Sequence, residues 1–138
     1  RIWLLQPILG MVRVIPIADP REDRGRLSQA YDRIVEELEA GEVVCIFPEG
    51  RITQDGRLNS FKPGVMKILK RAPVPVVPMA IVGLWGSVFS RKDGPALRKL
   101  PRRFRGPVEL RIGEPISPER VKLALLEERV KALMRAAF

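Results

Sequence analysis

The chain has 138 residues, 46% of them hydrophobic, with 25 Lys and Arg against 16 Asp and Glu for a formal charge of +9. That length suits one domain, and the apolar fraction can furnish a core without covalent staples. A single cysteine, Cys45, excludes an internal disulfide, and the lack of histidine excludes a His-bearing metal site or catalytic triad within these residues. Arg1 opens the chain inside an apolar run, which reads as a cut through a longer polypeptide. The positive balance favours anionic partners: nucleic acid, lipid headgroups or phosphorylated substrates. No signal peptide is visible, and one unpaired thiol fits a reducing, cytoplasmic setting.

Val12–Ile17 is a β-branched run closed by Ala18-Asp19-Pro20, so a strand is predicted there. Leu27, Ala30, Tyr31, Ile34, Val35 and Leu38 recur at helical spacing, and Gly41 stands where a left-handed cap belongs. Val43–Phe47 is apolar throughout, which predicts a strand covered on both faces with Cys45 as a buried structural thiol. A polar turn follows over 48–60, bent at Asp55-Gly56. Pro63 begins a short helix carrying Val65, Ile68 and Leu69.

Val74–Val82 is a β run in which prolines mark strand beginnings or an edge, since each removes a ladder donor. Val108, Leu110 and Ile112 alternate with Glu109 and Arg111, the period of a half-exposed strand. Ser117-Pro118-Glu119 signals a final helix running to about Met134, with Leu126, Val130, Leu133 and Met134 on one face. Alternation of this kind predicts an α/β fold, a layered and largely parallel sheet flanked by amphipathic helices.

Ala72–Ser90 holds no charge, but Pro73, Pro75 and Pro78 interrupt it. Each proline costs a helix about 3 kcal/mol, and a membrane span needs roughly 20 helical residues. No spanning helix is expected. The stretch runs instead into Arg91, Lys92, Arg98, Lys99, Arg102, Arg103 and Arg105, opposed only by Asp93 and preceded by Trp85 and Phe89. This mixture predicts a peripheral membrane or anion-binding surface, with a solvated basic loop as the plain alternative. A nucleic-acid-binding or non-catalytic basic α/β module is the rival class. Aromatic residues make up only 6% of the chain, and the segment shows neither a helix-turn-helix pattern nor an RNP-like strand, so no nucleic-acid partner is expected.

The chemistry concentrates in Phe47-Pro48-Glu49-Gly50-Arg51-Ile52-Thr53, at the carboxyl end of the most apolar predicted strand. Open α/β sheets place their ligand crevices at such ends. Gly50 permits close backbone approach, Arg51 offers a planar cation for phosphate, and Thr53 adds a hydroxyl. Glu49 can accept from substrate hydroxyls or orient a neighbouring cation. A plain surface turn with a Glu–Arg pair is the alternative reading.

Phe47–Thr53 resembles the third conserved block of the glycerolipid acyltransferases, with Glu49 and Gly50 in register and the arginine one place early at Arg51. Val74-Pro75-Val76-Val77-Pro78 resembles the family's fourth block. The variant with Arg51 is similar to the acyltransferase domain of 2-acylglycerophosphoethanolamine acyltransferases fused to acyl-acyl-carrier-protein synthetases, and Gly83-Leu84-Trp85-Gly86-Ser87 is similar to the fused, lysophospholipid-directed members. The resemblance implies transfer of a fatty acyl group from acyl-CoA or acyl-ACP to a lysophospholipid or acylglycerol phosphate. It assigns acceptor binding to Phe47, Pro48, Glu49, Gly50, Arg51 and Thr53, and it implies no metal or cofactor beyond the thioester. It also implies a site on the cytoplasmic face of the membrane, with acyl carrier protein or a fused acyl-activating domain as partner.

Two departures stand out. The family's first block, Asn-His-x-x-x-x-Asp, supplies the catalytic base, and no residue here provides it. Residues 1–138 are then expected to be the C-terminal portion of a single acyltransferase domain, inactive alone, with catalytic His and Asp upstream of Arg1. The second block's arginine is replaced by Ala18, with Arg13 and Arg21 nearby but out of register, which favours an acceptor carrying a phosphodiester headgroup.

Overall fold

The computed structural model describes residues 14–15, 24–85 and 107–135. By internal contacts the chain divides into two compact units, Arg1–Val44 and Cys45–Phe138.

In the first unit, helix α1 spans Arg24–Glu39. Its apolar stripe buries Ala30, Ile34 and Val35, as the spacing predicts. The helix stops in a Schellman turn. The Gly41 amide donates to Leu38 O at 3.1 Å and the Glu42 amide to Glu37 O at 3.0 Å, with Gly41 at φ 83°. Of the strand expected over Val12–Ile17, only Val14 and Ile15 are described, and neither lies in a strand.

Val43–Phe47 departs from expectation. The segment is assigned to no strand, Val43 is 91% and Phe47 72% exposed, and the Cys45 thiol is exposed rather than buried. An apolar run makes a strand only where a neighbouring backbone accepts and donates its ladder, and no described residue offers one.

The second unit is built on helix α2 (Gly64–Arg71), strands β1 (Met79–Val82) and β2 (Glu109–Ile112), and helix α3 (Leu123–Arg135). Pro63 caps α2 one residue ahead of the predicted position. The strands pair antiparallel, Met79 opposite Ile112 and Val82 opposite Glu109. Upstream the ladder continues through a Val76–Ile116 bridge. The interval holds one more residue on the second strand than on the first, a bulge. Pro78, with no N–H, serves there only as acceptor for the Gly113 amide at 2.9 Å. The largely parallel sheet of the prediction is thus represented, among the described residues, by an antiparallel pair.

The pair's two faces are unlike. Ala80 is buried, and Arg111, on the same face, sends Nη1 2.9 Å to the carbonyl of Leu133 near the end of α3. The Arg111 side chain is 14% exposed and chelates Glu109. Met79, Ile81, Leu110 and Ile112 point the other way and are exposed. The alternation in β2 is real, but its apolar members face outward.

The final helix also starts later than its signals suggest. Pro118–Arg120 forms a 3-10 turn, Ser117 makes no capping bond, and Val121 adopts an extended conformation at φ −66°, ψ 121°. Val121 is buried. Inserting it into the core stops the turn from continuing directly into α3. The core itself joins Phe61, Val65, Leu69, Ile116, Val121 and Leu126. It sits directly beneath the polar loop, because Phe61 is that loop's last anchor.

Candidate functional site

Phe47–Gly50 is a tight turn, with the Gly50 amide donating to Phe47 O at 3.1 Å. Proline second and glycine fourth suit such a turn. Gly50 adopts φ 63°, a left-handed value disfavoured for residues bearing a Cβ. Downstream, the Lys62 amide donates to Pro48 O at 2.8 Å, and the Phe61 amide to Glu127 Oε2 at 3.3 Å. These two bonds pin both ends of the loop, the second of them to α3.

Asn59 links the site together. Its backbone N–H and its Nδ2 both donate to Glu49 Oε2, at 2.6 and 2.9 Å, while its Oδ1 accepts from Arg51 Nε at 3.0 Å. Only one amide orientation satisfies a carboxylate on one side and a guanidinium on the other, so the two charges fix the Asn59 side chain. Hydrogen bonds to charged groups contribute about 1.5–3 kcal/mol each, enough to hold an otherwise exposed loop in one shape. Glu49 therefore braces Arg51, as its position suggests, but through Asn59 rather than by direct contact. With Nε engaged, the terminal amino edge of the Arg51 guanidinium is left with no partner among the described residues. Such a planar edge is suited to phosphate.

Thr53 is bonded within the loop. Its hydroxyl donates to Asp55 Oδ1 at 3.0 Å and accepts from the Gly56 amide at 3.1 Å. The one hydroxyl proton goes to a neighbouring carboxylate, so Thr53 shapes the Asp55-Gly56 bend. The Arg57 N–H, and after it the Thr53 hydroxyl, hold the Asp55 carboxyl below its ordinary pKa. Gly56, at φ 80°, has no side chain because the Trp85 ring occupies the space: a Cβ there would lie 2.8 Å from Cδ2 and Cε2. Trp85, predicted as part of a membrane surface, is half-buried over this bend. Phe89, Arg91, Lys92, Arg98, Lys99, Arg102, Arg103 and Arg105 lie outside the described residues, as do Arg13, Ala18 and Arg21.

Phe47 is exposed, Pro48 and Glu49 are half-buried, and Gly50 and Arg51 are exposed. The structure thus brings Glu49, Gly50 and Arg51 together at the surface and leaves Phe47 projecting beside them. A shallow concavity on α3, lined by residues including Glu127, Lys131 and Arg135, includes none of them. No cluster of candidate metal ligands exists among the described residues, and none of their helices is long and apolar enough to cross a membrane. Asn59 was not foreseen. Its only sequence signal is a polar side chain inside the 48–60 turn, which does not distinguish it from Gln54 or Ser60.

A family profile described as Acyltransferase matches residues 1–82. The chain belongs to this acyltransferase family. Among curated relatives, it is 30% identical over 90 residues to a probable 1-acyl-sn-glycerol-3-phosphate acyltransferase of Mycoplasma pneumoniae, covering 65% of this chain and 33% of that one. A chloroplastic 1-acyl-sn-glycerol-3-phosphate acyltransferase of Arabidopsis thaliana is 39% identical over 83 residues, covering 56% of this chain and 22% of that one. The crystal structure of the 1-acyl-sn-glycerophosphate acyltransferase of Thermotoga maritima superposes with a TM-score of 0.58 at 28% identity, covering 78% of this chain and 43% of that one. The fold is accordingly that of the glycerolipid acyltransferases. The chain spans at most a third of the length of these two curated relatives.

Proposed function

We propose that these residues form the acceptor-binding part of an enzyme that moves a fatty acyl group from acyl-CoA or acyl-ACP to the hydroxyl of a lysophospholipid or acylglycerol phosphate. The observation that carries this reading is the Asn59 bridge, which fixes Glu49 and Arg51 while leaving the outer edge of the guanidinium open. Arg51 would hold the acceptor's phosphate, and Glu49 Oε1, without a partner among the described residues, would accept from the glycerol part. So held, the acceptor hydroxyl faces the thioester carbonyl, and positioning of this kind is worth about 7–11 kcal/mol in favourable cases.

A histidine upstream of Arg1, oriented by an aspartate, would take the hydroxyl proton, a contribution of about 10²–10⁴-fold. The alkoxide oxygen attacks the carbonyl carbon, the carbon–sulfur bond breaks, and the proton passes to the departing thiolate. In the full domain we propose a largely parallel sheet, with Val43–Phe47 gaining its ladder there. The basic segment through Arg105 would dock peripherally on the cytoplasmic face of the membrane, and acyl carrier protein or a fused acyl-activating domain would supply the thioester.

The test uses the full-length protein. Glu49→Ala and Arg51→Ala are each expected to lower acyl transfer to lysophosphatidate at least tenfold, equivalent to about 1.4 kcal/mol, without lowering the thermal midpoint. Wild-type kinetics in both variants would remove the loop from the mechanism.

A further inference from the structure

We infer that Lys62 is a second cation of the acceptor site, holding the same phosphate as Arg51 from the opposite side of Gly50. The inference rests on the reading of the Phe47–Arg51 turn as the acceptor loop. Three observations carry it.

The Lys62 backbone is fixed to that turn by its 2.8 Å bond to Pro48 O. Its side chain then lies across the turn: a Cβ built on Gly50 would stand 3.1 Å from Lys62 Cδ and Cε and 3.2 Å from Nζ. A glycine at that position leaves the lysine stem room to lie flat and sets its ammonium next to the residue preceding Arg51. The third observation is charge. The Lys62 ammonium has no hydrogen bond or ion pair among the described residues, and the Arg51 terminal nitrogens have none either. The one carboxylate in the turn, Glu49, points its Oε2 at Asn59.

The Lys62 ammonium beside Gly50 and the guanidinium of the next residue, Arg51, are like charges without partners among the described residues, and an anion held by both would offset their repulsion. A phosphate group fits that need, its unesterified oxygens shared between a planar guanidinium and a compact ammonium. The bare mixed-charge alternative, a lysine extended into solvent, would not have its stem laid along the glycine. Phosphate could come from the acceptor or from the carrier of the acyl thioester. Arg51 and Glu49 frame the acceptor in the reading above, so Lys62 is assigned to the acceptor.

In the full-length enzyme, Lys62→Gln is expected to raise the KM for lysophosphatidate by about tenfold or more while leaving kcat within about twofold, as loss of binding shared by ground and transition states requires. Lys62→Arg should restore most of it. A rise in the KM of the acyl donor instead would overturn the assignment to the acceptor, and an unchanged KM for both would overturn the site. A measurement on the unmodified enzyme guards against a variant that fails to fold. Glycerol 3-phosphate should protect Lys62 from acetylation, read by mass spectrometry, by about fivefold or more, as occupancy of a charge-paired amine demands; equal labelling with and without it would overturn the inference. If Arg51→Ala loses activity while Lys62→Gln keeps it, this inference alone falls. If both variants are wild type, the reading of the loop falls with it.

Discussion

The polar loop and the outer face of the hairpin solve opposite problems. Between Phe47 and Lys62 several polar groups meet one another: Glu49 with Asn59, Asn59 with Arg51, Thr53 with Asp55, and Lys62 N–H with Pro48 O. The Arg51 terminal edge and the Lys62 ammonium are among the groups left without a partner among the described residues. On the hairpin, the face bearing Ala80 and Arg111 is closed against α3, while Met79, Ile81, Leu110 and Ile112 lie bare on the other. Most of the loop's bonds are local, and one, from the Phe61 N–H, reaches Glu127 on α3. An apolar face can be completed only by another surface, and contiguous exposed apolar area is a mark of such contacts.

Four experiments sharpen or break this contrast. Leu126, in the closed core, should show the largest effect: Leu126→Ala is expected to destabilise by about 2–5 kcal/mol in denaturant unfolding, since it removes buried apolar surface and leaves a cavity. Next comes Asn59→Leu in the full-length enzyme, which removes the bridge while leaving the backbone N–H. It should lower kcat/KM for the acceptor about tenfold, roughly 1.4 kcal/mol, with less loss than Arg51→Ala; equal activity to wild type would show that Arg51 needs no brace. Smaller still is Leu110→Ser on the bare face of this chain, expected to shift stability by no more than about 0.5 kcal/mol. A loss several times larger would mean that the face is covered.

The smallest effect is one of pH. The Lys131 ammonium, 2.6 Å away, and then the Phe61 N–H hold the Glu127 carboxyl below its ordinary value. A group with a lowered folded-state pKa stabilises the fold fully above its unfolded pKa and loses that contribution as pH falls through the folded one. Glu127→Gln should therefore lower the thermal midpoint slightly at neutral pH and converge with the wild type in acid, flattening the acid limb of the profile.

The helices were legible because their apolar residues carry their own period: α1 with its stripe and Gly41 stop, α2 behind Pro63, and most of α3. The Glu49-Gly50-Arg51 turn was legible from residue types whose backbone and charge requirements are specific. Other features depended on partners distant in sequence. Val43–Phe47 needed a neighbouring backbone before its composition meant anything. Ser117-Pro118-Glu119 carries a helix-start pattern, yet burial of Val121 turned it into a 3-10 turn. The outward side of β2 was settled by Arg111 reaching Leu133, and the role of Asn59 by two bonds that close only when the loop folds back on itself.

At Gly83, φ 93° and the missing side chain bring the chain against the carbonyl of Pro107, with no room for a methyl group. That contact is a neck, shutting the hairpin before the basic stretch departs and after it returns. Any side chain at position 83 would force these two segments apart, so replacement of Gly83 should not be tolerated.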